Sequence, residues 1–454
     1  MGPAPIKQNT PLPILALLFG LGGLCMYRPV WSMDFGMHLA SGRWMVEHQT
    51  VATTDVLTFT VAGEPRIVHE WLARVLLALG DGAFGIEGLK IAAAVLCGTA
   101  VAVFGHAMRR RGMSLGGAVA ACLLIVWLFE SRFRLRPHLV TFLGAAVLLA
   151  QPPLPWSRLR TTLGTLFFVV WVNCHGGWIL VPLHLACLSG LALVRREPWR
   201  LPAVAMVGAA LVSLVNPRGW LLPLSAVRVS EVSDLIPEWA SAFALGGDFR
   251  AKAVVAALLV LFSARAVLER HRTTHELAPL LWTQPLGLLS QRFLFLQPAA
   301  LPMLGRTVGH RVTSTLGLGC LIPVLLITQG LRWSTLARTH KGPFASWAPD
   351  RFPESCATWL RQNRATEVIS PAPWSGYLLA EVPGVRVAID GRVELFGRSR
   401  AEAVSELFAR PGADWPAWFD APLAVLPRNF QHDFLKRNFS LVHVGKLAVV
   451  WQRR

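Results

Sequence analysis

The sequence predicts an α-helical polytopic membrane protein of about eleven spans, with a small α/β domain at its C-terminal end. Three observations carry that prediction. Of 454 residues, 53% are hydrophobic and only 15% charged, where ordinary soluble domains carry about 25% charged residues. Apolar runs of about 16–24 residues, each near the length that crosses a bilayer, recur as far as residue 331. Beyond residue 331 no run is long enough to cross, and Pro and Trp become frequent. A soluble chain of this length would divide into domains with visibly polar surfaces, which this composition excludes.

The formal charge of +18, from 44 Lys+Arg against 26 Asp+Glu, does not point to a nucleic-acid partner. Up to residue 331 the basic residues sit in short clusters between apolar segments, as topology signals do, rather than along one helix face. The seven cysteines form neither a CxxC motif nor a zinc-type spacing. The first apolar run has no A-x-A-like cleavage site and reads as a retained span.

The positive-inside rule orders the elements. With the N-terminus cytoplasmic near Lys7, span 1 (about 12–27) delivers a first loop, 28–85, to the outside. Within that loop, 71–84 is apolar but short and broken by glycines, and reads as an interfacial helix. Span 2 (86–108) ends at Arg109–Arg111, inside. Span 3 (114–130) leads out, and span 4 (138–150) returns to Arg158 and Arg160. Spans 5 and 6 form a hairpin around Asn173–Trp178 and end at Arg195 and Arg196. Span 7 (201–216) opens an outside loop at 217–250, and span 8 (252–268) ends at Arg270 and Arg272. Spans 9 and 10 turn near Arg292 and return to Arg306 and Arg311, and span 11 (313–331) leaves residues 332–454 outside. Within 332–454, strand-like stretches at Glu367–Ser370, Val385–Ile389, Leu423–Leu426 and Leu441–Val450 alternate with helical ones at Glu354–Gln362 and Arg400–Phe408. The two expected domains are thus 1–331 and 332–454, in a cytoplasmic (inner) membrane.

In this scheme the polar residues near the membrane gather on the outer side. They are Asp34, His38, Asp55, His69 and Glu70; Arg132, Arg134, Arg136 and His138; Asn173 and His175; Asn216, Arg218 and Glu238; and Gln291 and Arg292. Arginines outside oppose the positive-inside rule, and ionisable groups at membrane depth mark sites. Taken singly, each has a bland reading. Arg134 and Arg136 could snorkel to head groups, and His175 could cap a hairpin whose glycines permit a tight turn. His69-Glu70 begins like a zinc-protease HExxH, but Ala73 stands where the second histidine belongs. Together they describe an outward cavity with guanidinium forks for phosphate, a carboxylate able to accept a proton, and a membrane body for a lipid tail.

The stretch 33–89, with Arg-x-Arg-Pro-His (134–138), Asn-x-His-Gly-Gly-Trp (173–178), Asn-Pro-x-Gly (216–219), Pro-Glu-Trp (237–239), Gly-Tyr-Leu (376–378) and Ile-Asp-Gly-Arg (389–392), resembles bacterial membrane proteins related to the GT-C glycosyltransferases. These include protein O-mannosyltransferases and aminoarabinose transferases. The resemblance implies a GT-C-like fold and transfer from a polyprenyl-phosphate sugar to an acceptor at the outer face. By position Asp34 corresponds to that group's acidic residue in the first outside loop, which acts as base or orients the acceptor. Gly36 and Met37 stand where that group carries tryptophans, and Arg218 where it carries tyrosine.

The resulting expectation assigns catalysis to Asp34, His69 and Glu70, and substrate binding to His38, Arg134, Arg136, His138, Asn173, His175, Arg218, Glu238 and Arg292. A lipid-linked-sugar transporter and a non-catalytic assembly protein are the alternatives. Asp34, His38, His69 and Glu70 could offer metal ligands. Among them only Asp34 and His38 have helical i, i+4 spacing, and a carboxylate–histidine hydrogen bond steering Asp34 is the simpler reading. The arginines meet the phosphate charge, so no metal or other cofactor is expected. The topology has a direct check in intact cells. A cysteine introduced at 400 should react with an impermeant maleimide and one at 110 should not; the reverse pattern contradicts the scheme.

Overall fold

The computed structural model describes residues 9–230, 233–241, 243–244, 248–268, 272–302, 330, 345–348, 350–410 and 412–454. Arg270, Arg306, Arg311 and nearly all of the span expected at 313–331 lie outside the described residues.

The membrane part is a bundle of helices: α1 (Leu12–Met26), α3 (Trp71–Arg110), α4 (Leu115–Phe129), α5 (His138–Ala150), α6 (Arg158–Cys174), α7 (Leu180–Val194), α8 (Arg200–Val212), α10 (Asp248–Leu268) and α11 (Thr274–Leu289). Among the described residues, three stretches are long and apolar enough to cross a membrane: Trp71–Arg110, Leu115–Arg132 and Gly176–Val194. The chain is a membrane protein. Eleven spans were expected, and several of the described helices are too short to cross alone. α5 has 13 residues, about 20 Å at 1.5 Å per residue against a hydrocarbon core of about 30 Å. A 3₁₀ segment, Gln291–Ala300, stands where span 10 was expected to begin. α9 (Leu221–Ser230) is a helix inside what read as a loop.

α3 is bent at Gly85, whose φ of 64° and ψ of −175° lie outside the helical region. Glycine adopts such angles without the Cβ clash other residues meet. The bend separates the expected interfacial helix from the expected span. An aromatic core holds the bundle beneath the site. Phe129 stacks on Phe142 at 4.0 Å, and Phe295 meets both edge-on at 5.0 and 5.2 Å. All three are buried, and offset or edge-to-face rings add about 0.5–1.5 kcal/mol beyond area burial.

The C-terminal residues form a five-stranded sheet in the order β2-β1-β3-β5-β4. Its strands are β1 (Glu367–Ile369), β2 (Arg386–Val387), β3 (Leu423–Pro427), β4 (Phe439–Val444) and β5 (Ala448–Arg453). Helices α12 (Glu354–Gln362), α13 (Ala372–Glu381), α14 (Val393–Ala409) and α15 (Asp433–Asn438) accompany it. The single strand expected at Leu441–Val450 is instead the antiparallel β4–β5 hairpin, with Gly445 N–H donating to Ala448 O at 2.8 Å. Gly445-Lys446-Leu447 makes the turn that the largely apolar pattern concealed.

The first loop is built into this sheet. Val387 N–H donates to Leu57 O at 3.1 Å, and Phe59 N–H donates to Val387 O at 3.2 Å, so residues 57–59 run beside β2. Helix α2 (Phe35–His48) packs on α13 with its backbone almost touching it. A Cβ on Gly36 would overlap Gly376 O, and a Cβ on Gly376 would overlap Met33 O. The position where the resembling group carries a tryptophan is therefore filled here by the α13 backbone. Gly36→Ala should cost about 1–3 kcal/mol through overpacking, read as a lower thermal unfolding midpoint; an unchanged midpoint contradicts the packing.

Candidate active site

Five segments meet above the aromatic core. The first is the turn Glu130–His138, Glu-Ser-Arg-Phe-Arg-Leu-Arg-Pro-His, between α4 and α5. Phe133 and Leu135 alternate with the arginines and are buried in the core, which leaves Arg132, Arg134 and Arg136 to a shared side. Pro137 disfavours helix at residue 136 and immediately precedes α5. Arg28 fixes the turn from below, donating to Phe133 O at 2.9 Å and Glu130 O at 3.2 Å.

One carboxylate gathers the arginines. Glu238 takes Arg132 at 2.6 Å, Arg136 at 2.9 Å, Arg134 at 3.1 Å and Arg292 at 3.3 Å. Arg136 also reaches Asp34 Oδ2 at 2.5 Å. Asp34 lies at the N-cap position of α2 and is about a quarter exposed. Two tryptophans supply the remaining faces: Arg134 lies 4.2 Å from the Trp31 ring centre, and Arg292 lies 4.4 Å from that of Trp239. Four guanidiniums thus face two carboxylates, which leaves positive charge in excess.

The local charges set the ionisation. Burial alone would raise the Glu238 carboxyl, but the Arg136, Arg132 and Arg292 guanidiniums outweigh it and hold the group well below the carboxylate range. Burial lowers Arg134 and Arg292 to about 10, which keeps both charged at neutral pH. For Asp34, burial outweighs Arg136, and its carboxyl is pushed above the ordinary aspartate value.

A second carboxylate, Glu70, organises the histidines. Its oxygens lie 3.4 Å from His38 Nδ1, 3.5 Å from His69 Nε2, 3.8 Å from His175 Nε2 and 3.4 Å from Arg74. Gly177 N–H donates to His175 Nδ1 at 3.1 Å, so in the neutral ring the proton sits on Nε2, toward Glu70. Burial lowers His175 to about 3, and the ring is neutral. His69 is the most exposed member, at 33%.

Several sequence expectations change here. His38 was expected to steer Asp34; instead its ring faces Glu70, and Arg136 steers Asp34. A permanently charged guanidinium makes the stronger hydrogen bond to a carboxylate than a neutral imidazole does. Asn173 is engaged with protein groups: its Oδ1 accepts from Trp71 Nε1 at 2.7 Å, and its amide donates to Val169 O and Val215 O. Arg218 donates to Ala52 O at 2.9 Å, away from the other arginines. His138 contacts Arg132 O at 2.6 Å and braces the arginine turn from behind. Arg132 was placed on this side of the membrane without a role, yet makes the shortest bond to Glu238; its place in the Arg-x-Arg-x-Arg alternation was the available signal. Arg74 and Trp31 had no such signal, whereas Trp239 stood in the Pro-Glu-Trp motif.

Among the described residues no group of three or more His, Cys, Asp or Glu is arranged to hold a metal ion. Asp34 is turned to Arg136, and the three histidines surround an oxygen-bearing side chain rather than a shared open point.

No family model and no curated protein matches the chain in sequence. In fold it is similar to an oligosaccharyltransferase of Archaeoglobus fulgidus. The structure of that enzyme with zinc and sulfate gives a TM-score of 0.56 at 13% identity, covering 91% of this chain and 68% of the other. The same enzyme tethered by a disulfide to an acceptor peptide containing the NVT sequon gives 0.54 at 13% identity, covering 92% and 69%. At that identity the likeness bears on the fold, and it agrees with a GT-C-like architecture.

Removing the Glu238 charge leaves four guanidiniums facing one another. Glu238→Gln should destabilise by about 3–5 kcal/mol at neutral pH, the usual cost of breaking a largely buried ion pair. Because the folded-state pKa is depressed, that stabilisation is present above the unfolded value near 4.5 and fades as pH falls below it. The gap between wild type and variant in chemical denaturation should therefore close on acidification; a gap independent of pH contradicts the assignment.

Proposed function

We propose that this protein transfers a glycosyl group from a polyprenyl-phosphate-linked sugar to an acceptor at the outer face of the cytoplasmic membrane. The observation that carries this reading is the Asp34 carboxylate paired with Arg136 at the edge of an arginine cluster with positive charge in excess. In the proposed step, Asp34 accepts the proton of the acceptor hydroxyl or amine as that atom bonds to the anomeric carbon. The bond from the anomeric carbon to the phosphate oxygen breaks, and its electron pair leaves on the lipid phosphate. One displacement of this kind inverts the anomeric centre.

The leaving phosphate gains a negative charge during the step, and Arg132, Arg134, Arg136 and Arg292 are positioned where that charge would develop. In this structure Glu238 occupies the guanidiniums, so the donor phosphate shares or displaces its carboxylate. Guanidinium forks suit phosphate oxygens bidentately. Glu70, with His38, His69 and His175 around it, lies beyond Asp34 on the first loop and orients the acceptor, with His69 the most exposed of the three. His38, one turn along α2 from Asp34, turns its ring to Glu70.

The site makes two kinetic predictions for the purified full-length chain assayed with a polyprenyl-phosphate sugar. Asp34→Ala should lower turnover by about 10²–10⁴-fold, the usual share of a general base, in protein that still unfolds cooperatively. Transfer at the wild-type rate contradicts the reading. For the wild type, a base whose pKa is raised by burial is lost to protonation as pH falls. The acidic limb of the turnover profile should therefore have its midpoint above the ordinary aspartate value of 3.8; a midpoint at or below 3.8 contradicts Asp34 as the base.

A further inference from the structure

The segment Asp390-Gly391-Arg392, between β2 and α14 in the C-terminal domain, lies against Asp34. A Cβ on Gly391 would overlap Asp34 Oδ1, so this backbone is the wall on which one carboxylate oxygen rests. The other oxygen, Oδ2, takes Arg136. The wall is itself held rigidly by buried charges. Arg392 grips Asp390 through Nε, at 2.7 and 2.8 Å, and through Nη2 at 2.5 Å, while its backbone N–H donates to the same carboxylate at 3.0 Å. Its remaining nitrogen, Nη1, reaches Asp55 Oδ1 of the first loop at 2.5 Å. Asp55 accepts in turn from Thr58 N–H at 2.9 Å and Thr58 Oγ1 at 2.5 Å, and Arg66 stands 3.8 Å away. Asp55, Asp390 and Arg392 are all buried.

Burying two carboxylates and a guanidinium is costly, and such a group persists where its members satisfy one another's hydrogen bonds. Here they do, and the group bridges two parts of the chain more than 300 residues apart. The two ends it joins are the loop that carries Asp34 and the turn that abuts it.

We propose that Gly391 is a positioning residue for Asp34, and that the Asp55–Arg392–Asp390 ion-pair network sets its place. The C-terminal domain then acts on the chemistry by confining Asp34 to the rotamer that points Oδ2 at Arg136. The contact is a feature of the structure; its bearing on catalysis rests on the proposed function. Any side chain at 391 pushes the carboxylate off its guanidinium, whereas the absence of one leaves just enough room.

Carbodiimide coupling of glycine ethyl ester to carboxylates, read residue by residue by peptide mass spectrometry on the full-length protein in detergent, tests this directly. In Gly391→Ala, Asp34 should label several-fold faster than in wild type, while Asp81 and Glu367 label at wild-type rates. Arg392→Lys keeps the charge but loses the fork, and should shift Asp34 labelling in the same direction by less; it serves if Gly391→Ala does not fold. Unchanged Asp34 labelling overturns the proposal. So does a rise shared by Asp81 and Glu367, which reports general loosening. In transfer assays Gly391→Ala should lower kcat by about 10²-fold, the cost of roughly 1 Å of misplacement, with KM for the donor unchanged. If Asp34→Ala is inactive and Gly391→Ala fully active, positioning fails and the base assignment stands. If Asp34→Ala is active, the base assignment fails and the labelling still decides the contact.

Discussion

Four guanidiniums gathered around one carboxylate impose the central constraint on this molecule. Like charges about 4 Å apart repel by about 4 kcal/mol at the effective dielectric of a protein surface. Arg132, Arg134 and Arg136 cannot be moved apart along the chain, because Phe133 and Leu135 between them are anchored in the core. The repulsion is met by bringing in carboxylates from elsewhere: Glu238 from the loop between α9 and α10, and Asp34 from the first loop. That requirement ties together the α4–α5 turn, the first loop, the Glu238 loop and the segment after α11. It also leaves the site with positive charge in excess.

The two carboxylates of the first loop divide the site. Asp34 belongs to the arginines, and Glu70 belongs to the histidines. Asp34 and His38, whose ring meets Glu70, stand one turn apart at the start of helix α2. Its position is fixed from both sides: by the backbone of α13 at Gly36, and by the ion-paired turn at Gly391 beside Asp34. The fold alone, shared with an oligosaccharyltransferase at 13% identity, would not select a reaction, since one fold hosts many functions. The selection rests on these side chains.

Much of the helical frame was legible in the sequence, because apolar run length and basic punctuation report directly on membrane insertion. His138–Ala150 stands where span 4 was expected, and Gly85 breaks α3 between the expected interfacial helix and the expected span. The candidate site was legible as a set of residues but less so as a set of pairs. Pairing depends on contacts between segments 100 or more residues apart, such as Arg136 with Glu238, and local spacing carries no signal for these. Spacing misled at His38, where the i, i+4 relation to Asp34 was real but a guanidinium from another segment had the stronger claim on the carboxylate. It misled again at Leu441–Val450, where the turn Gly445-Lys446-Leu447 was hidden inside a largely apolar run. Asn173 and Arg218 carried motif-like surroundings, yet their hydrogen bonds go to tryptophan and to backbone.

The central claim is that the arginine cluster is the seat of a lipid phosphate. An experimental structure of the full-length protein with a bound polyprenyl phosphate tests it most directly. The account predicts phosphate density within hydrogen-bond distance of Arg134, Arg136 and Arg292, with Glu238 sharing or displaced from its guanidiniums and Asp34 facing the open side of the phosphate. Phosphate density remote from these arginines, with all four still closed on Glu238, would contradict it.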